Sequence, residues 1–138
     1  MGEKLLSPKK ILVVDDEPDL TILCKMILED EGFSVDAFTD SLLALEYFKP
    51  NFYDLVILDI KMPDLDGFEL YKKIKELDAH VNICFLTASE MYYEKYRENE
   101  YSFLDKNLFI HKPIENEDLI KKINKFINIS SNSNHAEK

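Results

Sequence analysis

A chain of 138 residues is the size of one domain, and a chain of that size can bury about two-thirds of its unfolded surface without a disulfide or metal staple. Its 17 basic and 27 acidic residues give a formal charge of -10, which argues against direct nucleic-acid binding and against docking on anionic lipid. No apolar run approaches the roughly 20 residues of a membrane helix, and the N-terminus MGEKLLSPKK has no apolar signal-peptide core, so a cytoplasmic protein is expected.

The first element is a β-branched run at 10–14, a strand. Asp16-Glu17-Pro18 then opens a helix as an acidic cap followed by proline. Leu20, Leu23, Ile27 and Leu28 recur at helical spacing, and Gly32 stops the helix. Residues 33–38 alternate as a second strand. Asp40 or Ser41 caps a second helix, with Leu42, Leu45 and Phe48 on one face, ended near Pro50. Residues 54–58 are the most apolar strand, expected to be central and covered on both faces. A loop from Asp59 to Gly67 follows, broken by Pro63 and Gly67. Phe68, Leu70, Tyr71, Ile74 and Leu77 pattern a third helix; 81–86 is a fourth strand, 107–110 a short fifth, and 115–127 a last helix. The segment 89–105 carries no clear pattern. Residues 1–8 are expected to be a flexible start, 9–128 the domain, and 129–138 a disordered tail.

Five strands alternating with five helices predict an α/β parallel sheet with helices on both faces. Such a sheet places its site beyond the carboxyl ends of the strands. Asp15 and Asp16 follow the first strand, Asp59 the third, Thr87 the fourth, and Lys112 the fifth, with Pro113 after it. Three neighbouring carboxylates repel, which raises their proton affinity or demands a cation. Mg²⁺ suits a few carboxylates plus water and phosphate, with Mn²⁺ as an alternative. An ammonium and a hydroxyl opposite would complete a clamp on phosphoryl oxygens, and Asp59 is the central candidate nucleophile for an acyl phosphate.

Val13-Val14-Asp15-Asp16-Glu17-Pro18, the run from Leu58 to Gly67, Leu86-Thr87-Ala88 and Lys112-Pro113 together resemble the receiver domain of two-component response regulators, of the single-domain chemotaxis type. The resemblance implies a doubly wound, flavodoxin-like sheet of strand order 2-1-3-4-5. It implies that Asp59 accepts phosphate from a phosphohistidine of a sensor kinase or phosphotransfer protein. Asp16 would bind Mg²⁺ directly, Asp15 mostly through water, with Asp59 and the backbone carbonyl of Lys61 completing the set. Thr87 would turn toward the phosphoryl group, Lys112 would pair with its oxygens, and the Lys112-Pro113 bond would be cis. Phe109 stands at the aromatic switch position but lacks a hydroxyl, and Thr87 and Lys112 stand 25 positions apart, longer than is common in the family.

Other readings are weaker. Asp64-Leu65-Asp66-Gly67 is part of a calcium loop only if Lys73 were Glu, so it reads as a turn. Three glycines exclude a P-loop. Cys24 and Cys84 read as buried reduced thiols, and His111, with no second ligand at metal spacing, as a strand-end histidine. Tyr92, Tyr93, Tyr96 and Phe109 are candidate contact residues. The expectation is a stand-alone phosphorylation switch rather than an enzyme, since little follows Asn128; its output would be a downstream protein bound at the surface of the fourth helix, fifth strand and last helix, with a homodimer left open. The rivals are a Mg-dependent phosphohydrolase, disfavoured because Lys61 stands where a second Asp is wanted, and a phosphorylation-independent binding module.

Overall fold

The computed structural model describes residues 8–88, 106–112 and 115–136. Its strands are β1 Lys10–Val14, β2 Ser34–Phe38, β3 Leu55–Asp59, β4 Ile83–Thr87 and β5 Phe109–His111. Its helices are α1 Pro18–Asp30, α2 Ser41–Tyr47, α3 Gly67–Leu77 and a C-terminal helix, here α4, at Asn116–Ala136. The further helix expected between β4 and β5 falls outside the described residues, and so do Tyr92, Tyr93, Tyr96 and Pro113 with its expected cis bond.

Every strand pair is parallel, and the order is β2-β1-β3-β4-β5. This is the doubly wound, flavodoxin-like sheet expected. The unbroken apolar run of β3 lies at its centre, buried throughout, because a central parallel strand is covered on both faces. Alternation along the strands sorts the core into two layers. Leu12, Val14, Val56, Leu58 and Phe85 pack with Ala44 of α2 and Phe68 and Ile74 of α3. Ile11, Val13, Ile57, Leu86 and Ile110 pack on the other side with Cys24 and Leu28 of α1 and Leu119 and Ile123 of α4. Both cysteines are buried and unpaired, as expected.

Local chemistry sets the helix ends. Asp40 caps α2, its carboxylate accepting from the N–H groups of Leu42 and Leu43 at 2.9 and 3.2 Å. Asp66 and Glu69 form a reciprocal capping box on α3. Gly32, at φ 98°, ends α1. The start of α1 differs from expectation. Glu17 occupies the cap position without a side-chain cap bond; instead the Asp15 carboxylate accepts its N–H at 3.0 Å.

Four elements differ in their bounds. β3 and β4 run one or two residues later than 54–58 and 81–86, because pairing with their neighbours continues to Asp59 and Thr87. The fifth strand begins at Phe109, after a 3-10 turn over Lys106–Leu108. The backbone from 129 to Ala136 is helical rather than the irregular tail its Ser/Asn composition suggests. Once Leu119, Ile123 and Ile127 anchor α4 on the sheet, each added residue gains a hydrogen bond without a new nucleation cost. Among the described residues no helix is long and apolar enough to cross a membrane.

Candidate functional site at the carboxyl edge of the sheet

The carboxyl ends of β1, β3, β4 and β5 bring together the residues singled out from the sequence. Asp59 and Thr87 are the last residues of their strands, fixed by pairing with Leu86 and His111 respectively. Lys112 follows β5, its N–H donating to the Thr87 carbonyl at 2.7 Å. The ladder therefore holds Lys112 beside Thr87. Asp15 follows β1, its N–H donating to the Phe38 carbonyl at 3.1 Å. Thr21 of α1 donates its hydroxyl to the Asp15 carbonyl at 2.7 Å, tying the helix to the strand end.

Lys112 is the hub. Its Nζ lies 2.8 Å from Asp15 Oδ2, 3.4 Å from Glu17 Oε1 and 3.6 Å from Asp59 Oδ1. One carboxylate oxygen from each of Asp15, Glu17 and Asp59 lies within 4.8 Å of the others. Asp15 is 1% exposed and Asp59 6%, so little water screens them. A single ammonium contacts all three carboxylates, and the crowding shows in the proton affinity of Asp59. Burial first, then the charge of Asp15, push Asp59 up to about 7, with Asp16 adding to the rise and Lys112 opposing it. Lys112 is pulled down by burial, but the hydrogen bond it donates to Asp15 and the charges of Asp59, Asp15 and Glu17 outweigh it and leave it raised.

Asp59 opens into a cavity of about 550 Å³ shared with Asp16, Lys61, Thr87, Ala88 and Lys112. Asp15 sits beneath Lys112, facing the α1 side, with both oxygens engaged by Lys112 and the Glu17 N–H. The donors around the cavity are hard oxygens carrying surplus negative charge, the set that suits a divalent cation such as Mg²⁺. Ala88, small and exposed at the rim, leaves room above Asp59.

Two residues join the site that the sequence reading used only as punctuation. Glu17 read as part of a helix start, yet its carboxylate reaches Lys112. Gly67 read as a breaker, yet its N–H donates to the Ile60 carbonyl at 2.7 Å. A Cβ there would strike the Asp59 carbonyl oxygen and lie 2.8 Å from Ile60 Cα. The Asp-Gly sequence before an amphipathic helix was the only local hint of this close approach.

Phe109, named as both switch aromatic and contact residue, is 6% exposed. It stacks on Phe85 with centroids 5.0 Å apart and packs near Phe68 at 6.3 Å. Its parity on β5 turns it into the α3-side core, so it offers no contact surface in this state.

The fold is a doubly wound α/β module with an acid pair after β1, a buried acid ending β3, a hydroxyl ending β4 and a lysine after β5 gathered at one edge. The chain matches the response regulator receiver domain over residues 11–124 and belongs to that family. It is 35% identical over 114 residues to the transcriptional regulatory protein DltR of Streptococcus agalactiae, covering 83% of this chain and 50% of that protein. The response regulator TrrA of Thermotoga maritima, solved in complex with Mg(2+)-BeF, matches with a TM-score of 0.70 at 34% identity, over 86% of this chain and 98% of that one. A CheY-like receiver domain protein of Methanospirillum hungatei matches with a TM-score of 0.75 at 28% identity, over 92% and 99%. The chain spans about half the length of curated relatives such as DltR.

Proposed function

We propose that Asp59 is the phosphoacceptor in a cytoplasmic two-component signalling step, with a phosphohistidine of a sensor kinase or phosphotransfer protein as donor. An Asp59 carboxylate oxygen forms the new O–P bond, the donor's N–P bond breaks, and the imidazole leaves with a proton. The observation that carries this reading is the placement of Asp59: buried at a strand end, open to one cavity, with Lys112 Nζ 3.6 Å away. Lys112 follows the developing charge onto the phosphoryl oxygens, at the expense of its contact with Glu17. The Thr87 hydroxyl turns into the cavity toward the new group, and the motion passes to β5 through the Thr87–Lys112 backbone bond. A downstream protein reads the altered surface around β5 and α4. The protein's chemistry is confined to gaining and losing its own phosphoryl group.

Asp16, Asp15, Asp59 and the Lys61 carbonyl would hold Mg²⁺ or Mn²⁺, with Glu17 at the rim. When bound, the ion neutralises charge on the transferred group. The test is incubation with Mg²⁺ and a small phosphodonor, followed by intact mass. The wild-type chain gains one phosphoryl mass and Asp59→Asn gains none; an adduct that survives the substitution overturns the assignment.

A further inference from the structure

The amino edge of the sheet, opposite Asp59, carries a second cavity, of about 340 Å³. Ile83, the first residue of β4, forms part of its floor, Tyr71 of α3 and Phe126 of α4 stand in its walls, and Lys75, Lys122 and Lys125 supply its charge. No Asp or Glu lines it among the described residues, in a chain where acids outnumber bases 27 to 17. Lys75 is half committed. Its Nζ donates to the carbonyls of Val81 at 2.6 Å and Ala79 at 3.4 Å, which leaves one of its three protons. Lys122 and Lys125 are exposed and make no ion pair with a described carboxylate. They share one stripe of α4 with Phe126, at spacings of three and four.

Ammonium groups around a concave pocket whose described lining holds no acid are a point-charge cradle for phosphate. Two aromatic side chains in the same walls provide a surface for a flat apolar body. The volume lies at the small end of the range for small-molecule sites. We propose that this cavity is a second ligand site, taking a small phosphorylated compound with an aromatic body, the class to which nucleotides belong. It is separated from Asp59 by the length of β3, about 13 Å at the usual rise per residue, and stands independently of the phosphoacceptor reading.

The test is a calorimetric titration of the full chain with ADP in EDTA, which keeps metal out of the acidic pocket. Saturable binding is expected, weakened about tenfold, or 1.4 kcal/mol, by the double substitution Lys122→Glu/Lys125→Glu. Both side chains are exposed, so the fold is retained, and Lys125→Arg, which keeps the charge, keeps the binding. Asp59→Asn leaves it unchanged. Pyrophosphate and adenosine, each offering half of the recognition, bind several-fold more weakly than ADP. No saturation up to about 10 mM, equal affinity in the double variant, loss in Asp59→Asn, or pyrophosphate binding as tightly as ADP would each overturn the proposal.

Discussion

The proton affinity of Asp59 is set first by burial and then by the acids crowded beside it. In the metal-free protein its carboxyl titrates near 7, against an ordinary value of 3.8, chiefly through burial and the neighbouring Asp15. Between those two values the folded chain binds more protons at this group than the unfolded chain. Stability therefore falls as pH rises through that window, the reverse of the usual salt-bridged aspartate. Asp59→Asn removes the burden. Thermal melts without metal should find the variant about 1–2 kcal/mol more stable than wild type near pH 8, a gain of roughly 3–8 °C that closes toward pH 4. Equal melting temperatures near pH 8 would contradict the crowding argument. Lys112→Met acts in the opposite sense. It leaves Asp15, 1% exposed, and Asp59 without their cation, and breaking such a pair costs about 3 kcal/mol. Urea unfolding should show that loss, and adding Asp15→Asn should recover part of it.

Among the elements, the β3–α3 connection positions Asp59. The Gly67–Ile60 hydrogen bond folds the start of α3 back against the end of β3, where only hydrogen fits beside the Asp59 and Ile60 backbone. Gly67→Ala forces one of the two backbones to shift, an overpacking loss of about 2 kcal/mol, and displaces Asp59 without altering any charge. Phosphodonor labelling should slow in Gly67→Ala. In Asp66→Ala, which loses only the exposed capping box at about 1 kcal/mol, labelling should continue at the wild-type rate. Equal rates in both variants would separate the connection from the chemistry. The same elements mark how far the sequence could be read. Asp15, Asp59, Thr87 and Lys112 were legible because a parallel sheet sends every strand's carboxyl end to one edge, and apolar runs locate those ends within a residue or two. Glu17 and Gly67 were not, because their roles arise from contacts outside their own elements, Glu17 with Lys112 and Gly67 with Ile60. The burial of Phe109 depended on strand parity, which a three-residue strand starting two positions late could not reveal.

Taken whole, the molecule gathers acids around Asp59 at the carboxyl edge of its sheet and sets three lysines around the cavity at the amino edge near Ile83. The strand order was legible from the apolar run of β3 only together with the family resemblance. The full length of α4 was not, since its Ser- and Asn-rich end has no helical pattern of its own. The assembled acidic edge exists only in the folded chain, because unfolding separates Asp59 from the consecutive Asp15, Asp16 and Glu17 and leaves all four solvated. A divalent cation that binds there binds the native state alone and stabilises it by mass action. Protons compete for the same oxygens, and Asp59 takes one near pH 7. About 10 mM Mg²⁺ should therefore raise the melting temperature by a few degrees near pH 8 and by much less near pH 5.5. An equal ionic strength of NaCl, which only screens exposed charge, should not reproduce the shift, and Asp16→Asn/Asp59→Asn should abolish it. A Mg²⁺ response that is the same at both pH values, or that persists in the double variant, would place the ion somewhere other than this cavity.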